Sequence, residues 1–336
     1  MKAVVCAPDA ADGCAVTEVA DPGPGPGEAV VAVEACGLCG SDVHTIELGR
    51  GRPGHILGHE FGGRVAELGA GVTGWRVGQP VAVNPVGSCR ACRNCDRGIP
   101  WQCETTVNLG VTAPGAYAEY VVAPASYLVP LPEEIPVELG AHAEPLAVAL
   151  RAVSIAGVGP GDAALVYGVG PIGLNVIMCL RLAGADLIVG AGRSPGRRAA
   201  AARVGADEVI DTTLVSVAEY AQRSGRRFAA VLECSAAPGA ITEGLGVLEP
   251  GGICVEVALT GEAPPVSMLA LVGSGLRLAG SCSFAPQDYE AAVGHIAAGR
   301  VPVADIISER VSLDAVPAAL VRLRHPGSLV RVLTRP

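Results

Sequence analysis

The sequence predicts an α/β protein of two domains, one built mainly from short antiparallel strands and one from a doubly wound parallel sheet. Three observations support this fold class. Gly- and Pro-rich alternating runs fill the chain up to about residue 140, strands and helices alternate regularly after it, and a glycine-rich turn opens that alternation. The chain has 336 residues, which is more than one hydrophobic core usually contains.

The first domain is predicted from its strand and turn signals. Residues 1–140 contain alternating runs such as "EAVVAVEA" and "GAYAEYVVAP", separated by turn segments such as "DPGPGPGE" and "LVPLPEEIP". Alternation with period two and frequent Gly and Pro are typical of short, mainly antiparallel strands. We therefore expect a mainly-β domain here, over residues 1–150.

The second domain is predicted over residues 151–289. The helical pattern "EPLAVALRAVSIAGV" precedes it, and strand-like and helix-like segments then alternate: "AALVYG", "PIGLNVIMCLRLAG", "DLIVGAG", "PGRRAAAARVG", "EVID", a helix, "FAAVLECS", "PGAITEGLGVL", "GGICVEVA", "VSMLALVGS" and "LRLAGSC". Such alternation predicts a parallel sheet with helices on its faces. The last stretch, 290–336, is predicted to return to the first domain.

Composition excludes several function classes. Half of the residues are apolar, 17% are charged, and the net charge is −9. An acidic chain without a basic tract is a poor binder of nucleic acids or membrane surfaces. No apolar run is long enough to span a bilayer, and "MKAVVCAPDA" lacks the apolar segment of a signal peptide, so a cytoplasmic location is expected.

A glycine-rich turn, "VYGVGPIG", follows the first strand of the second domain. Gly168, Gly170 and Gly173 form G-x-G-x-x-G, with Pro171 and Ile172 between the last two. The glycines allow a tight turn, close approach of a pyrophosphate and close packing of the helix on the sheet. With a strand before it and a helix after it, the turn predicts a dinucleotide site.

The end of the next strand bears on the choice between NAD(H) and NADP(H). A carboxylate there would bind a ribose 2′-hydroxyl, but the chain has Gly192 instead, followed by Arg193, Ser194, Arg197 and Arg198. A small residue leaves room for a phosphate, and arginine and serine supply donors. The sequence therefore favours NADP(H); the alternative is that these arginines form a solvated helix start.

Four cysteines predict a structural metal lobe over about residues 85–105. Cys89, Cys92, Cys95 and Cys103 have the spacing C-x2-C-x2-C-x7-C. Four thiolates satisfy a tetrahedral zinc and leave no open position, so the site is structural. An iron–sulfur cluster is the rival interpretation.

A second metal site is predicted from separate segments. "ACGLCGSDVH" contains Cys39, "PGHILGHE" contains His59 and Glu60, and "AHAEPLAVAL" contains Glu144. A catalytic zinc takes three protein ligands and keeps one open position, which Cys39, His59 and a carboxylate would satisfy.

These motifs together resemble the zinc-containing medium-chain dehydrogenase/reductase superfamily, most closely its sorbitol, threonine and butanediol dehydrogenase branch. "CGLCGSDVH", "GHE", the four-cysteine lobe, "EPLA" and "GVGPIG" occur in family order over essentially the whole chain. The resemblance implies a GroES-like mainly-β catalytic domain and a Rossmann cofactor domain. It also implies a homodimer or homotetramer that pairs through the strand "LRLAGS".

The resemblance assigns roles to individual residues. It implies that Cys39 and His59 ligate the catalytic zinc, whereas Cys36 does not. Glu60 would exchange onto the metal or steady it from behind. Glu144 would bind the zinc directly or through water, at the position where simple alcohol dehydrogenases have a cysteine.

Three further residues of the opening motif receive roles from the resemblance. Asp42 would orient the zinc histidine, and Ser41 and His44 would form a proton relay. Two features depart from the family pattern. The missing acid near Gly192 differs from NAD-using polyol enzymes, and the usual Gly-Asp-Arg is replaced by Gly78, Gln79 and Pro80.

The predicted function is zinc-dependent hydride transfer between NADP(H) and a secondary alcohol or polyol, or the corresponding ketone. Zinc lowers the pKa of a bound hydroxyl, and the nicotinamide carries the redox step. Two alternatives stay open: an NAD-dependent polyol or amino-alcohol dehydrogenase, and a non-catalytic relative that binds zinc and nucleotide. The complete set of metal and relay residues favours an enzyme with a small-molecule substrate.

Overall fold

The computed structural model describes residues 1–97, 99–261, 263–325 and 327–336. The chain divides into two compact units. The first unit comprises Met1–Glu144, Ala285–Gly299 and Ile307–Pro336, and the second comprises Pro145–Phe284 and Arg300–Ile306. The borders lie a few residues before those predicted from the sequence, and a short segment near residue 303 returns to the second unit.

The strands of the whole chain are short, as the turn signals predict. Nine of those in the described residues belong to the first unit and six to the second. In chain order they are β1 (Lys2–Cys6), β2 (Cys14–Glu18), β3 (Glu28–Gly37), β4 (Glu60–Leu68), β5 (Pro80–Val83), β6 (Tyr120–Pro124), β7 (Leu128–Pro130), β8 (Ala163–Tyr167), β9 (Leu187–Gly192), β10 (Glu208–Asp211), β11 (Phe228–Glu233), β12 (Leu248–Glu256), β13 (Arg277–Gly280), β14 (Ile307–Ser312) and β15 (Arg331–Arg335).

Helices are concentrated in the second half of the chain. In order they are α1 (Gly40–Glu47), α2 (Arg93–Asp96), α3 (Ala143–Ala156), α4 (Pro171–Ala183), α5 (Pro195–Arg203), α6 (Val217–Ser224), α7 (Ala240–Gly246), α8 (Met268–Ser274), α9 (Pro286–Ala297) and α10 (Val316–Leu323). The chain passes from the first unit to the second within α3.

The first unit is built on a seven-stranded, mainly antiparallel sheet. Its order is β14-β15-β3-β4-β5-β7, and β6 also pairs with β3. Strand β3 is central because it pairs with β4, β6 and β15, and most of its ten residues are buried. The only parallel pair of this sheet in the described residues is β14–β15. The mainly-β domain is confirmed, and its sheet brings β3, β4 and β15 side by side.

The second unit has a six-stranded parallel sheet in the order β10-β9-β8-β11-β12-β13. The order reverses between β8 and β11, which makes this edge the switch point where open α/β sheets bind ligands. Helix α4 begins with Pro171 and ends before Gly184, whose φ of 84° suits a glycine C-cap. Its middle is buried all round because its residues are almost entirely apolar. The predicted doubly wound fold is confirmed.

No helix in the described part of the chain combines the length and the hydropathy that crossing a bilayer requires.

Candidate metal and cofactor sites

The four cysteines of the predicted lobe come together. All four Sγ atoms lie within 4.8 Å of one another. The Sγ of Cys92 is 3.6 Å from that of Cys95 and 3.9 Å from that of Cys103, and Cys89 is 4.0 Å from Cys95. These separations are too long for disulfides, whose sulfurs are about 2.05 Å apart. They match the roughly 3.8 Å expected between thiolates that bind one tetrahedral zinc at about 2.3 Å.

Backbone donors favour the thiolate form at three of these cysteines. The Ala91 N–H lies 3.4 Å from the Cys89 sulfur and lowers the pKa of Cys89. The Cys89 N–H lies 3.2 Å from the Cys103 sulfur and lowers the pKa of Cys103. Backbone N–H groups also lower the pKa of Cys92, whereas burial raises that of Cys95 to about 11. The donor set therefore fits a metal held by thiolates.

Three donor residues of the second predicted site also come together. Ligand atoms of Cys39, His59 and Glu60 lie within 4.8 Å of one another. Cys39 is the N-cap of α1, and its Sγ faces the Ser41 N–H at 3.5 Å. Since β3 ends at Gly37 and pairs there with Glu60, the sheet places the start of α1 beside the start of β4.

Asp42 contacts the ring of His59 as the resemblance predicts. Its Oδ1 lies 3.5 Å from His59 Nδ1, and both residues are buried. Burial alone would lower the pKa of His59, but the carboxylate of Asp42 and the thiol of Cys39 together raise it well above its ordinary value. A carboxylate that faces Nδ1 leaves Nε2 as the atom available to a metal.

Glu60 is held by a residue that the sequence reasoning missed. Its carboxylate forms a buried ion pair with Arg331, the first residue of β15, and Arg331 also donates to the Ala141 carbonyl at 2.8 Å. A Cβ at Gly37 would collide with both partners, so glycine is required there. No local motif marks Arg331, because its partner lies far away in the sequence.

Glu144 lies near the cluster but is not one of the three residues whose ligand atoms lie within 4.8 Å. Burial raises the pKa of its carboxyl to about 7, while His59 acts in the opposite direction and Glu60 raises it further. The site therefore offers one carboxylate neutralised by arginine, Glu60, and one that exchanges a proton near neutrality.

The predicted relay residues lie on α1. The Ser41 hydroxyl is 3.2 Å from Cys39 Sγ and 3.5 Å from His59 Nε2. Ser41 and His44 are both exposed and stand three residues apart, which places them on one face of the helix. The structure thus brings Ser41 to the metal cluster and His44 to solvent.

The glycine-rich turn has the backbone that a dinucleotide site needs. Gly168 has a φ of 96°, and a Cβ there would lie 2.6 Å from Ser235 Cβ. A Cβ at Gly173 would overlap the Gly168 carbonyl. Gly170 is the N-cap of α4, and Pro171 and Ile172 begin the helix. Only glycine fits at 168 and 173, which leaves the helix N-terminus open toward a phosphate.

The predicted 2′-phosphate residues separate into two groups. Arg193 is exposed and follows Gly192 at the end of β9, and Ser194 is the N-cap of α5. Arg197 lies toward the glycine-rich turn, since a Cβ on Gly170 would be 3.6 Å from its Nη1.

Arg198 stands apart from these residues, and its guanidinium contacts three groups of the fold. It bonds Asp211 at 2.6 Å, the Gly192 carbonyl at 3.2 Å and the Arg193 carbonyl at 2.5 Å. These contacts tie α5 to the ends of β9 and β10. They weaken the expectation that Arg198 binds a phosphate.

Sequence reasoning also missed a carboxyl pair at the ligand edge of the second unit. Glu233 and Glu256 end the neighbouring parallel strands β11 and β12 and stand in register. Both carboxyl oxygens of Glu256 are buried without a hydrogen-bond partner in the described residues. Burial and then the Glu233 carboxylate raise the pKa of Glu256 to about 7. In the sequence, the only feature that could have indicated this carboxyl pair was a glutamate at the end of each of the two strands.

Comparison with known proteins identifies the family of the chain. The alcohol dehydrogenase GroES-like domain matches residues 25–133, and the zinc-binding dehydrogenase domain matches residues 171–298. D-xylulose reductase A of Aspergillus oryzae is 32% identical over 300 residues, 85% of this chain and 84% of the relative. L-threonine 3-dehydrogenase of Xanthomonas campestris pv. campestris is 37% identical over 275 residues, 79% and 78% of the two chains.

Solved structures agree over the full length. A zinc-binding dehydrogenase from Sinorhizobium meliloti bound to NADP has a TM-score of 0.92 at 30% identity, covering 100% of this chain and 99% of that one. An alcohol dehydrogenase from Escherichia coli CFT073 complexed with NADH has a TM-score of 0.93 at 27% identity, with coverage of 100% and 99%. The chain therefore belongs to the zinc-binding dehydrogenases of the medium-chain dehydrogenase/reductase superfamily, in the branch of the polyol, threonine and butanediol enzymes.

Proposed function

We propose that the protein transfers a hydride between NADP(H) and a secondary alcohol or polyol, or the corresponding ketone. The observation that carries the proposal is the cluster of Cys39, His59 and Glu60, whose ligand atoms lie within 4.8 Å of one another. Ser41 stands beside the sulfur and the ring nitrogen of this cluster. With a carboxylate from Glu144, the thiolate of Cys39 and the imidazole of His59 would form a donor set that leaves zinc an open position for substrate.

The third ligand in this proposal is Glu144, directly or through water. Glu60 is bound to Arg331, which neutralises its charge and turns it into a support behind the metal. Glu144 carries no such ion pair among the described residues. Burial raises its pKa to about 7, and an adjacent positive charge would favour its ionised form.

The chain's own residues would handle the proton of the reaction. When bound, zinc would supply a Lewis acid that acidifies the substrate hydroxyl, and the nicotinamide would accept the hydride. Ser41 would take the hydroxyl proton, and His44 would pass it to solvent from the same face of α1. In the reductive direction Ser41 would return the proton to the carbonyl oxygen.

The proposed preference for NADP(H) rests on the residues that follow β9. Gly192 offers no carboxylate, and Arg193, Ser194 and Arg197 can donate to a 2′-phosphate. The NADP-bound structure from Sinorhizobium meliloti supports this choice. The NADH-bound Escherichia coli relative favours the alternative, an NAD-dependent enzyme.

The four-cysteine lobe would hold a second, structural zinc.

The second unit would carry the subunit interface. Strand β13 is the edge of the parallel sheet, and Leu278 on it is exposed. Helix α8 adds exposed Met268, Leu269 and Val272, which are 65%, 83% and 79% exposed. Exposed apolar side chains on the edge strand and on the helix that precedes it suit pairing with a second copy, as a homodimer or part of a homotetramer.

A metal and activity assay tests the proposal. We expect two zinc ions per chain, NADPH oxidation with a panel of small ketones that includes D-xylulose, and NADP+ reduction with a panel of alcohols that includes L-threonine. Serine-to-alanine replacement at position 41 should reduce kcat while both metals stay bound. Two bound metals without turnover of any alcohol or ketone would instead favour a non-catalytic relative.

A further inference from the structure

The hydroxyl of the buried Tyr117 is connected to the group of candidate zinc ligands through one other side chain. Its side chain is fully buried, and its hydroxyl donates to Asp42 Oδ2 at 2.5 Å. The Gly37 carbonyl lies 3.2 Å from the same hydroxyl. Because the carboxylate is charged and closer, the single phenolic proton is directed mainly to Asp42.

Asp42 contacts both Cys39 and His59, the two candidate zinc ligands for which no alternative residue is proposed. Its Oδ2 accepts from the Cys39 backbone N–H at 3.3 Å, and its Oδ1 faces His59 Nδ1 at 3.5 Å. Any rotation of this carboxylate therefore moves both the charge that faces the histidine ring and the acceptor of the Cys39 N–H. What holds Asp42 in place also sets the direction of two ligands.

The hydroxyl of Tyr117 is the strongest restraint on that rotation. Without it, Oδ2 would keep only the Cys39 N–H at 3.3 Å, and a buried carboxylate oxygen would lose its best donor. We propose that Tyr117 is a positioning residue, whose hydroxyl fixes Asp42 and thereby aims Cys39 and His59 at the catalytic metal. This inference rests on the zinc site of the proposed function.

The ring of Tyr117 has a separate, purely structural role. It belongs to the core of the first unit, and a Cβ at Gly58 would lie 2.6 Å from its Cδ1. Tyr117→Phe keeps this packing and removes only the hydroxyl, so the two roles can be separated by one substitution.

Zinc affinity provides the test. In Tyr117→Phe, competition with a chromophoric chelator should show the catalytic zinc bound about tenfold more weakly, the lower end of the usual effect of groups that support a ligand. Zinc in the four-cysteine lobe should keep its affinity. In the cobalt-substituted protein, the absorption bands of the catalytic site should shift. The matched control is Tyr220→Phe, which removes a tyrosine-to-Glu208 bond of 2.6 Å in the second unit and should change neither readout.

A double-variant cycle separates positioning from packing. If Tyr117 acts through Asp42, then adding Tyr117→Phe to Asp42→Asn should weaken zinc by less than about twofold. Independent tenfold effects in the double variant would overturn the inference, as would an unchanged zinc affinity and cobalt spectrum in Tyr117→Phe.

A fluorinated tyrosine and the zinc content of the unmodified protein provide two further tests. If Tyr117→Phe does not fold, 3-fluorotyrosine at position 117 retains the shape and donates more strongly, so zinc should bind more tightly; unchanged affinity would refute the role. If the unmodified protein takes up only the lobe zinc, the proposed function itself fails. Two zinc ions in the unmodified protein with no effect of Tyr117→Phe would refute this inference alone.

Discussion

The carboxylate of Glu60 and the guanidinium of Arg331 form an ion pair in which each side chain is only 2% exposed. The pair joins the first residue of β4 to the first residue of β15, and Glu60 is one of the three clustered donor residues. A buried charge that loses its partner is strongly destabilising, even where the intact pair contributes little.

Arg331→Met should therefore lower the free energy of unfolding by about 3–5 kcal/mol, because it leaves Glu60 buried without a counter-charge. Urea denaturation of the chelator-treated protein measures this. The control is Arg310→Met, which breaks the partly exposed pair with Glu138 and should cost less than about 1 kcal/mol. Equal effects of the two variants would contradict the assigned importance of the buried pair.

Arg193→Ala should weaken use of NADPH about tenfold in kcat/KM and leave NADH unaffected. A hydrogen bond to a charged group contributes about 1.5–3 kcal/mol, which corresponds to tenfold or more. Arg198→Ala should keep the cofactor preference, because that side chain is bound to Asp211 and to backbone carbonyls. A variant at position 193 that retains its preference points to Arg197, which the double variant tests.

Gly192→Asp should reverse the cofactor preference by placing a carboxylate where the 2′-phosphate would bind. The structure adds a complication, since a Cβ at this position would lie 2.5 Å from Val169 Cγ2. Gly192→Ala is the matched control, because it introduces the same crowding without the charge. Steady-state kinetics with both cofactors should show reversal only in the aspartate variant.

Cys92→Ser should remove about one zinc per chain and lower the melting temperature, since a structural zinc supplies on the order of 10 kcal/mol of local folding energy. The control is Cys36→Ala, which replaces a buried cysteine that is not one of the four clustered thiols. That variant should keep both zinc ions. Full metal content in Cys92→Ser would refute the structural zinc site.

Glu256→Gln should stabilise the protein at pH 8 and not at pH 5. Its carboxyl has a pKa of about 7 in the folded chain, above that of an unfolded glutamate, so folding favours the protonated form. The stabilising proton is present below about pH 4.5 and is lost as the pH rises through 7. Glutamine mimics the protonated form, and the gain at pH 8 should be about 1–2 kcal/mol after allowance for partial exposure.

Chemical denaturation at the two pH values measures this difference. The control is Glu249→Gln on the same strand, where the side chain is exposed. A pH-independent effect of Glu256→Gln would show that the proton is not held in the folded protein.

Double substitution of Leu269 and Val272 by aspartate should shift the assembly toward monomers in light scattering, because both apolar side chains are exposed on α8, the helix that precedes the edge strand. Leu214→Asp is the control, since Leu214 is 79% exposed elsewhere in the second unit. A monomeric unmodified protein at micromolar concentration would contradict the proposed interface.

Local spacing explains why much of this protein could be predicted. The glycine turn, the four-cysteine lobe and the start of α1 each lie within one short segment, where turn chemistry and ligand spacing are visible in the sequence. Arg331, Tyr117 and Glu256 could not be predicted, because their partners Glu60, Asp42 and Glu233 come from other strands or from a helix. Only strand order and register bring such residues together, and neither is visible in any one segment.

The ion pair between Glu60 and Arg331 can form only late in the synthesis of the chain. The two residues are separated by 271 positions, and both stretches of the second unit are translated in between. At about 5–20 residues per second, the ribosome reaches Arg331 roughly 15–50 s after Glu60. The nascent chain thus carries all candidate zinc ligands while the carboxylate of Glu60 still lacks its counter-charge. All six strands of the dinucleotide-binding sheet are therefore synthesised before the residue that neutralises Glu60.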